Sequence, residues 1–304
     1  MCCARLTRTL TLGSSYVPIR LVFERNSYRR RILAASGEDV ATHVIGIALH
    51  GFGWWALTGR NYTGAPSDGV WFVKAWDTFL RRNVERKDQS LIALMSKGFA
   101  EVADEFKRLV DFENVDPIDL PSCSIALLRF NGHFCEYFVL GDCSIVVAPN
   151  QAASTVVTDR RVSVFDQAVV NEMTVYLKDS NYNYQDALQA VFPSLQANRR
   201  KKNKQDGYWI LEFDPAALTH AILGQVPVDS AGATLLMTDG FAQAWDTFRL
   251  EDSPKTLLKR VQRTGLRSVY AELLAAVERD PNCRHFPRLK PLDDAAAVLV
   301  AFEF

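Results

Sequence analysis

The chain has 304 residues, and 48% of them are hydrophobic, which is enough to form a substantial buried core. Its 35 basic and 35 acidic residues cancel, whereas nucleic-acid binding usually requires a basic face, so we expect no nucleic-acid partner. No apolar run reaches the roughly 18 residues that cross a bilayer, and the first residues lack the apolar core of a secretory signal. We therefore expect a cytoplasmic protein with no membrane partner.

Elements of the first third of the chain are read from capping residues and apolar periodicity. After a poorly defined segment over 1–25, residues 44–49 (VIGIAL) predict a short buried strand that ends at His50-Gly51. Ser67 can cap a helix that starts near Asp68. Apolar residues at three- and four-residue steps predict a second helix over about 88–112.

Short β-rich runs follow, separated by residues that favour turns. We predict strands over 123–130, 134–140 and 144–148, with turns at Asn131-Gly132 and Gly141-Asp142. Consecutive hairpins of this kind indicate an antiparallel meander.

Helical patterns return in the last half of the chain, interleaved with strands. Helix is predicted over about 163–195 and 254–278, and strand over 208–213, 233–238 and 295–304. The basic segment 197–206 is predicted to be a solvated loop, because it has no aromatic residues interleaved for stacking on bases. Strand clusters between helix pairs predict an α+β fold, a four-layer α-β-β-α sandwich of two antiparallel sheets flanked by helices. No composition break suggests a linker, so we expect a single domain over 1–304.

Three acidic positions lie where predicted strands end or turn. Asp239 follows LLMT, Asp293-Asp294 opens the last strand, and Asp142 lies in the turn between two strands. Carboxylates held in this way suit hard cations such as Mg²⁺ or Mn²⁺, which prefer oxygen ligands. Each position alone is weak, since Asp is common in turns and helix caps.

The order of these motifs resembles the metal-dependent protein phosphatases of the type-2C class, in their bacterial form. TLLMTDGF resembles the strand that ends in Ser/Thr-Asp-Gly, LDDAAAVLVAF the terminal Asp-Asn/Asp strand, and FVLGDCSIVV the Gly-Asp-Ser turn, with Cys143 in place of the serine. The resemblance covers roughly residues 65–304.

The resemblance implies a two-metal site, with Mn²⁺ or Mg²⁺, that activates water for attack on phosphoserine or phosphothreonine. Asp239 and Asp293 would ligate metal, and Asp142 would lie near a further, weaker ion. The implied partner is a phosphorylated protein substrate or a kinase, and the implied state is a monomer.

The N-terminal motifs depart from this pattern. At the place of the aspartate that bridges the two metals stands His50, followed by Gly51, and a histidine cannot bridge two ions as a carboxylate does. The alternative pair Asp68-Gly69 is predicted to lie in a first helical turn, where the helix dipole favours Asp. Arg25 is the candidate phosphate-binding arginine, whereas Glu38-Asp39 is interpreted as a turn.

Two explanations of this departure remain open: a degenerate phosphatase fold, or a shifted reading frame over residues 1–60. Function is correspondingly open between a phosphatase with impaired activity and a pseudophosphatase that binds phosphoproteins or regulates a kinase. An unrelated hydrolase or structural domain is a third possibility. The chain has no Gly-rich phosphate loop after a strand and no G-x-S-x-G elbow, which argues against nucleotide-binding and serine-hydrolase mechanisms.

Overall fold

A computed structural model describes residues 60–84, 86, 88–131, 134–148, 154–227 and 232–302, and the backbone of three strands between residues 5 and 51. The strands are β1 (Arg5–Leu12), β2 (Ser15–Glu24), β3 (Val44–Gly51), β4 (Cys123–Asn131), β5 (Phe134–Leu140), β6 (Ser144–Ala148), β7 (Thr155–Val157), β8 (Ile222–Pro227), β9 (Ala233–Met237) and β10 (Ala297–Phe302). The α-helices are α1 (Asp68–Asn83), α2 (Leu91–Leu109), α3 (Arg161–Lys178), α4 (Tyr184–Arg199), α5 (Asp239–Asp246), α6 (Pro254–Thr264) and α7 (Leu266–Arg279). Two 3₁₀ helices cover Phe112–Asn114 and Pro215–His220.

The strands form two antiparallel sheets. One has six strands in the order β1-β2-β10-β9-β6-β7, and the other has four in the order β3-β4-β5-β8. Helices α1 and α2 pack on the four-stranded sheet, and α5, α6 and α7 pack on the six-stranded sheet. Strand β3 contacts β9 and β10 across the two sheets, which therefore form the inner layers of the molecule. The predicted α+β sandwich is confirmed.

Local chemistry explains where the first two helices begin. The Ser67 hydroxyl accepts a hydrogen bond from the Val70 amide at 3.1 Å, and the Ser90 hydroxyl accepts one from the Ala93 amide at 3.2 Å. Each cap satisfies an amide that has no partner inside its helix. The predicted cap at Ser67 is confirmed.

Three apolar layers hold the sandwich together. The layer between the sheets is built from alternate residues of both inner faces, as packed antiparallel sheets require. Its fully buried members include Ala126, Leu128, Val139, Ile145, Leu236 and Val300. The two outer layers join each sheet to its own helices.

The helical stretch predicted over 254–278 is two helices rather than one. Gly265 separates α6 from α7 and has φ 85° and ψ 158°, a conformation essentially restricted to glycine. The stretch over 163–195 also divides, because Asn183 starts α4 with a reciprocal capping box to Asp186.

Two further predictions are wrong. Residues 208–213 do not form a strand, because only Leu211 and Tyr208 make isolated backbone bridges, to Cys123 and Lys202. The segment 197–206 is not a solvated loop, since its first residues complete α4 and the side chains of Arg199 and Lys202 are buried.

The buried side chains of Arg199 and Lys202 donate hydrogen bonds to backbone carbonyl oxygens rather than to water. The Arg199 guanidinium donates to the carbonyl oxygens of Ile118 at 2.8 Å and Leu120 at 3.2 Å. Lys202 also donates to Leu120 and forms an ion pair with Glu212. The basic segment is therefore a structural clamp between α4 and the chain before β4.

Some elements were not predicted. Sequence reasoning missed β1, β2, β7 and β8, and the structure places β2 beside β10 in the larger sheet. The single-domain assignment and the reading-frame hypothesis stay predictions. Among the described helices, none has the length and apolar character needed to cross a membrane.

Candidate metal centre

Asp239 and Asp293 lie at the same end of two neighbouring strands. Asp239 is the first residue of α5, separated from β9 by Thr238 alone, and Asp293 lies four residues before β10. The Thr238 hydroxyl accepts a hydrogen bond from the Ala296 amide at 3.0 Å, and the Thr238 amide donates to the Ala296 carbonyl at 3.0 Å. These bonds continue the β9–β10 pairing beyond the strands and hold the two acidic loops side by side.

Gly240 allows the two loops to approach closely. A Cβ atom at this position would lie 2.4 Å from the carbonyl oxygen of Asp294 and 2.8 Å from its carbonyl carbon. Any other residue would therefore push α5 away from the loop that carries Asp293. The Gly240 amide also donates to the Asp239 carboxylate at 2.8 Å, which fixes that side chain at the start of α5.

Asp142 lies in the tight turn between β5 and β6, as predicted. The Ser124 hydroxyl donates to the Asp142 carboxylate at 2.6 Å and accepts from the Asp142 amide at 3.2 Å. Gly141 has φ 82°, and a Cβ atom there would lie 2.2 Å from the Ser124 hydroxyl oxygen. The turn is thus closed onto β4 by a serine that sequence reasoning did not single out.

The strand register places His50 beside this turn. His50 of β3 is the backbone partner of Ser124, and Gly51 is the partner of Cys123. The chain therefore carries His50, rather than an aspartate, at the point of β3 that lies opposite the serine bound to Asp142. Only the backbone of β3 is described, so the ligand role of the His50 side chain stays a prediction.

A cavity of about 430 Å³ opens beside these loops, and its described walls are rich in charge. The acidic lining residues are Asp142, Asp159, Asp166, Asp239, Asp246 and Asp293, and the basic ones are Arg160, Arg199, Arg288 and Lys290. Asp159 is paired with Arg161, and burial keeps Asp166 largely protonated, but Arg199 and Arg288 are likewise engaged by backbone carbonyls or by Asp280. Charged acids therefore still outnumber the bases that remain. The cavity therefore favours a cation over a phosphate dianion.

Lys290 is a residue of this cavity that sequence reasoning missed. Its ammonium forms an ion pair with the Asp293 carboxylate at 2.5 Å. Burial lowers the pKa of the Lys290 ammonium, but the carboxylates of Asp293 and Asp239 outweigh it, so the pKa is raised overall. Lys290 is therefore charged and is held by acids that the resemblance assigns to metal.

Asp166 on α3 is a second residue that sequence reasoning missed. Burial, with a smaller contribution from the neighbouring carboxylates of Asp142 and Asp239, raises its pKa to about 8, although Lys290 opposes the shift. The Asp166 carboxyl is thus predominantly protonated at neutral pH. No sequence pattern marks it, because a single Asp on a helix is an ordinary surface residue.

The described residues do not fit a complete two-metal centre. Their carboxylates are suitable donors for Mn²⁺ or Mg²⁺. However, no group of three His, Cys, Asp or Glu side chains lies close enough to hold a metal ion within the ranges that the structure describes. One carboxylate of the expected set is instead engaged by Lys290.

Among the remaining sequence candidates, Asp68 is described by the structure and does not line this cavity. Asp68 is the first residue of α1 and accepts hydrogen bonds from the amides of Tyr62 and Thr63, at 3.0 and 2.8 Å. The predicted position in the first helical turn is confirmed, and the carboxylate also holds the preceding loop. Arg25 and Glu38-Asp39 lie outside the described residues.

The chain has the fold of the type-2C serine/threonine phosphatases. No protein-family profile and no curated protein matches it. The serine/threonine phosphatase PstP/Ppp of Mycobacterium tuberculosis is similar over 95% of this chain and 100% of that one, with 13% identity and a TM-score of 0.51. At such identity the similarity concerns the fold. Two further structures have TM-scores below 0.5. The PstP catalytic domain in complex with two manganese ions has 13% identity, covers 94% of this chain and 100% of that one, and has a TM-score of 0.49. Stp1 of Staphylococcus aureus has 9% identity, covers 98% of this chain and 89% of that one, and has a TM-score of 0.44.

Proposed function

We propose that this protein is a phosphoserine/phosphothreonine phosphatase-like protein whose metal-dependent hydrolysis is impaired. The observation that carries the proposal is the pairing of Asp239 and Asp293 at one end of β9 and β10, in a type-2C fold and beside an acidic cavity. A phosphorylated protein is its proposed partner. A cytoplasmic location and a monomeric state are further parts of the proposal.

Impairment follows from the composition of the site. Asp239 and Asp293 would hold Mn²⁺ or Mg²⁺, and the cation would supply the positive charge that an acidic cavity lacks for a phosphate group. His50 stands where a bridging carboxylate is expected, and Lys290 engages Asp293. We therefore expect weak turnover from the chain as it stands.

The test is Mn²⁺-dependent hydrolysis of p-nitrophenyl phosphate by the intact chain and three variants. Asp239→Asn should abolish the residual rate, because it removes a charged ligand, whereas His50→Asp should raise it at least tenfold by restoring a carboxylate. Asp104→Asn, on an exposed position of α2, is the control and should leave the rate unchanged. Equal, metal-independent rates in all four proteins would refute the proposal.

A pseudophosphatase is the second candidate, and the Lys290–Asp293 ion pair favours it. In that case the chain binds a phosphoprotein or a kinase without turnover. Titration with matched phosphorylated and unphosphorylated peptides distinguishes the two, since preferential binding with no released phosphate in any variant supports this candidate.

A further inference from the structure

Lys290 is not an ordinary surface lysine. Only 22% of its side chain and 10% of that of Asp293 are exposed. In contrast, the Lys201–Asp206 pair, with exposures of 40% and 75%, lies in solvent. Exposed pairs of that kind form and break with little consequence, whereas a pair shielded from water fixes both partners in place.

The backbone on each side of Lys290 is also fixed. The Tyr184 hydroxyl donates to the carbonyl oxygen of Leu289 at 2.6 Å, and Arg288 donates to that of Pro291 at 3.0 Å. Arg288 is itself 3% exposed and forms an ion pair with Asp280 at 2.8 Å. The ammonium is therefore delivered to Asp293 by a braced loop rather than by a free side chain.

The ammonium and a divalent cation compete for the same ligand. The Lys290 nitrogen lies 2.5 Å from one Asp293 oxygen. A cation bound to that carboxylate would repel an ammonium at such close range, inside a cavity where water screens charge poorly. Both cannot occupy this place together.

We propose that the Lys290 ammonium takes the place of a divalent cation at Asp293, as a built-in counter-ion that neutralises this carboxylate without metal. This proposal rests on the proposed function, since it names the residue that impairs its metal site. It also explains why the described acids do not converge on a common point, because a lysine with one charge needs fewer ligands than two divalent ions.

The test is thermal unfolding and calorimetric titration with Mn²⁺, which needs no catalytic activity. Lys290→Met removes the ammonium and should lower the melting temperature in the absence of metal. Mn²⁺ should then restore that temperature, with an apparent affinity at least tenfold higher than for the intact chain. Adding His50→Asp to Lys290→Met should strengthen binding further.

Lys202→Met is the matched control. Lys202 is more deeply buried than Lys290, with 3% of its side chain exposed, and forms an ion pair with Glu212, but it lies outside the cavity. Its loss should also lower the melting temperature, and Mn²⁺ should not restore it. This control separates a specific response to the metal from a general one.

Two results would overturn the proposal. One is saturable Mn²⁺ binding by the intact chain as tight as that by Lys290→Met. The other is a folded Lys290→Met/His50→Asp variant that does not bind Mn²⁺. A different result would refute the proposed function, namely the absence of both metal-dependent hydrolysis and phosphopeptide binding.

Discussion

Gly240 is the residue that sets the distance between the two acidic loops. Its missing Cβ leaves room for the backbone of Asp294, and its amide orients the Asp239 carboxylate. The sequence motif Thr-Asp-Gly could be recognised because it is contiguous. The reason for the glycine could not, because its close neighbour lies more than fifty residues away in the chain.

We predict that Gly240→Ala will destabilise the protein by about 1–3 kcal/mol, the usual cost of forcing an atom into a packed contact. Urea unfolding measures the change. Thr247→Ala, at the opposite end of α5, is the control and should cost less, since it removes only a local hydrogen bond to Asp246. Equal stability of Gly240→Ala and the intact chain would contradict the close contact.

The buried Asp166 carboxyl should make the stability of the protein depend on pH. Its folded-state pKa of about 8 exceeds the ordinary carboxyl value of about 3.9, so the folded chain binds a proton more tightly than the unfolded one between these values. The free energy of unfolding should therefore fall as pH rises from about 4 to about 8. Asp166→Asn removes this dependence, and should be more stable than the intact chain at about pH 9, by on the order of 1–3 kcal/mol after a discount for partial exposure.

Urea unfolding at about pH 5, 7 and 9 tests this effect. Asp104→Asn, at an exposed position of α2, serves as the comparison and should retain the profile of the intact chain. Parallel profiles for Asp166→Asn and the intact chain would show that Asp166 ionises in the ordinary range.

At the scale of elements, the helices and strands that could be predicted are those with strong local signals. The Ser67 cap and the three- and four-residue periodicity of α2 depend on neighbours in the chain, and both are confirmed. The 208–213 strand failed for the opposite reason. Four of its apolar residues are buried, but only Leu211 pairs with a strand, at Cys123. Without a continuous partner strand, no ladder of backbone hydrogen bonds forms.

Gly265 divides one amphipathic pattern of the sequence into the two helices α6 and α7. Gly265→Ala should destabilise the protein by about 1–3 kcal/mol, since its φ of 85° with ψ of 158° is essentially closed to other residues. Denaturant unfolding measures the loss, with Arg267→Ala on the exposed side of α7 as the control. A Gly265→Ala protein as stable as the control would contradict the requirement for glycine between α6 and α7.

Over the whole molecule, the fold could be predicted further than the site. Asp239 and Asp293 could be found because each belongs to a short contiguous motif at the end of β9 or before β10. Asp166, Lys290 and Ser124 could not, because each acquires its meaning only from a partner brought near by the sandwich. The basic segment 197–206 illustrates the same limit, since its burial depends on carbonyl oxygens at Ile118 and Leu120.

The cysteines test whether the sandwich unfolds as one unit. Cys123 and Cys135 lie in the four-stranded sheet, whereas Cys283 packs against α3 and α4. Burial raises the pKa of all three thiols, to about 12 for Cys135 and about 11 for Cys283, so the reactive thiolate is scarce in the folded state.

Iodoacetamide should therefore label none of the three cysteines in the folded chain, and should label all three over the same range of denaturant concentration as the chain unfolds. Peptide mapping by mass spectrometry follows each site separately, and fully denatured protein provides the control for complete labelling. Modification of Cys283 well below the denaturant concentration that exposes the other two would show that the α3–α4 hairpin opens independently of the sheets.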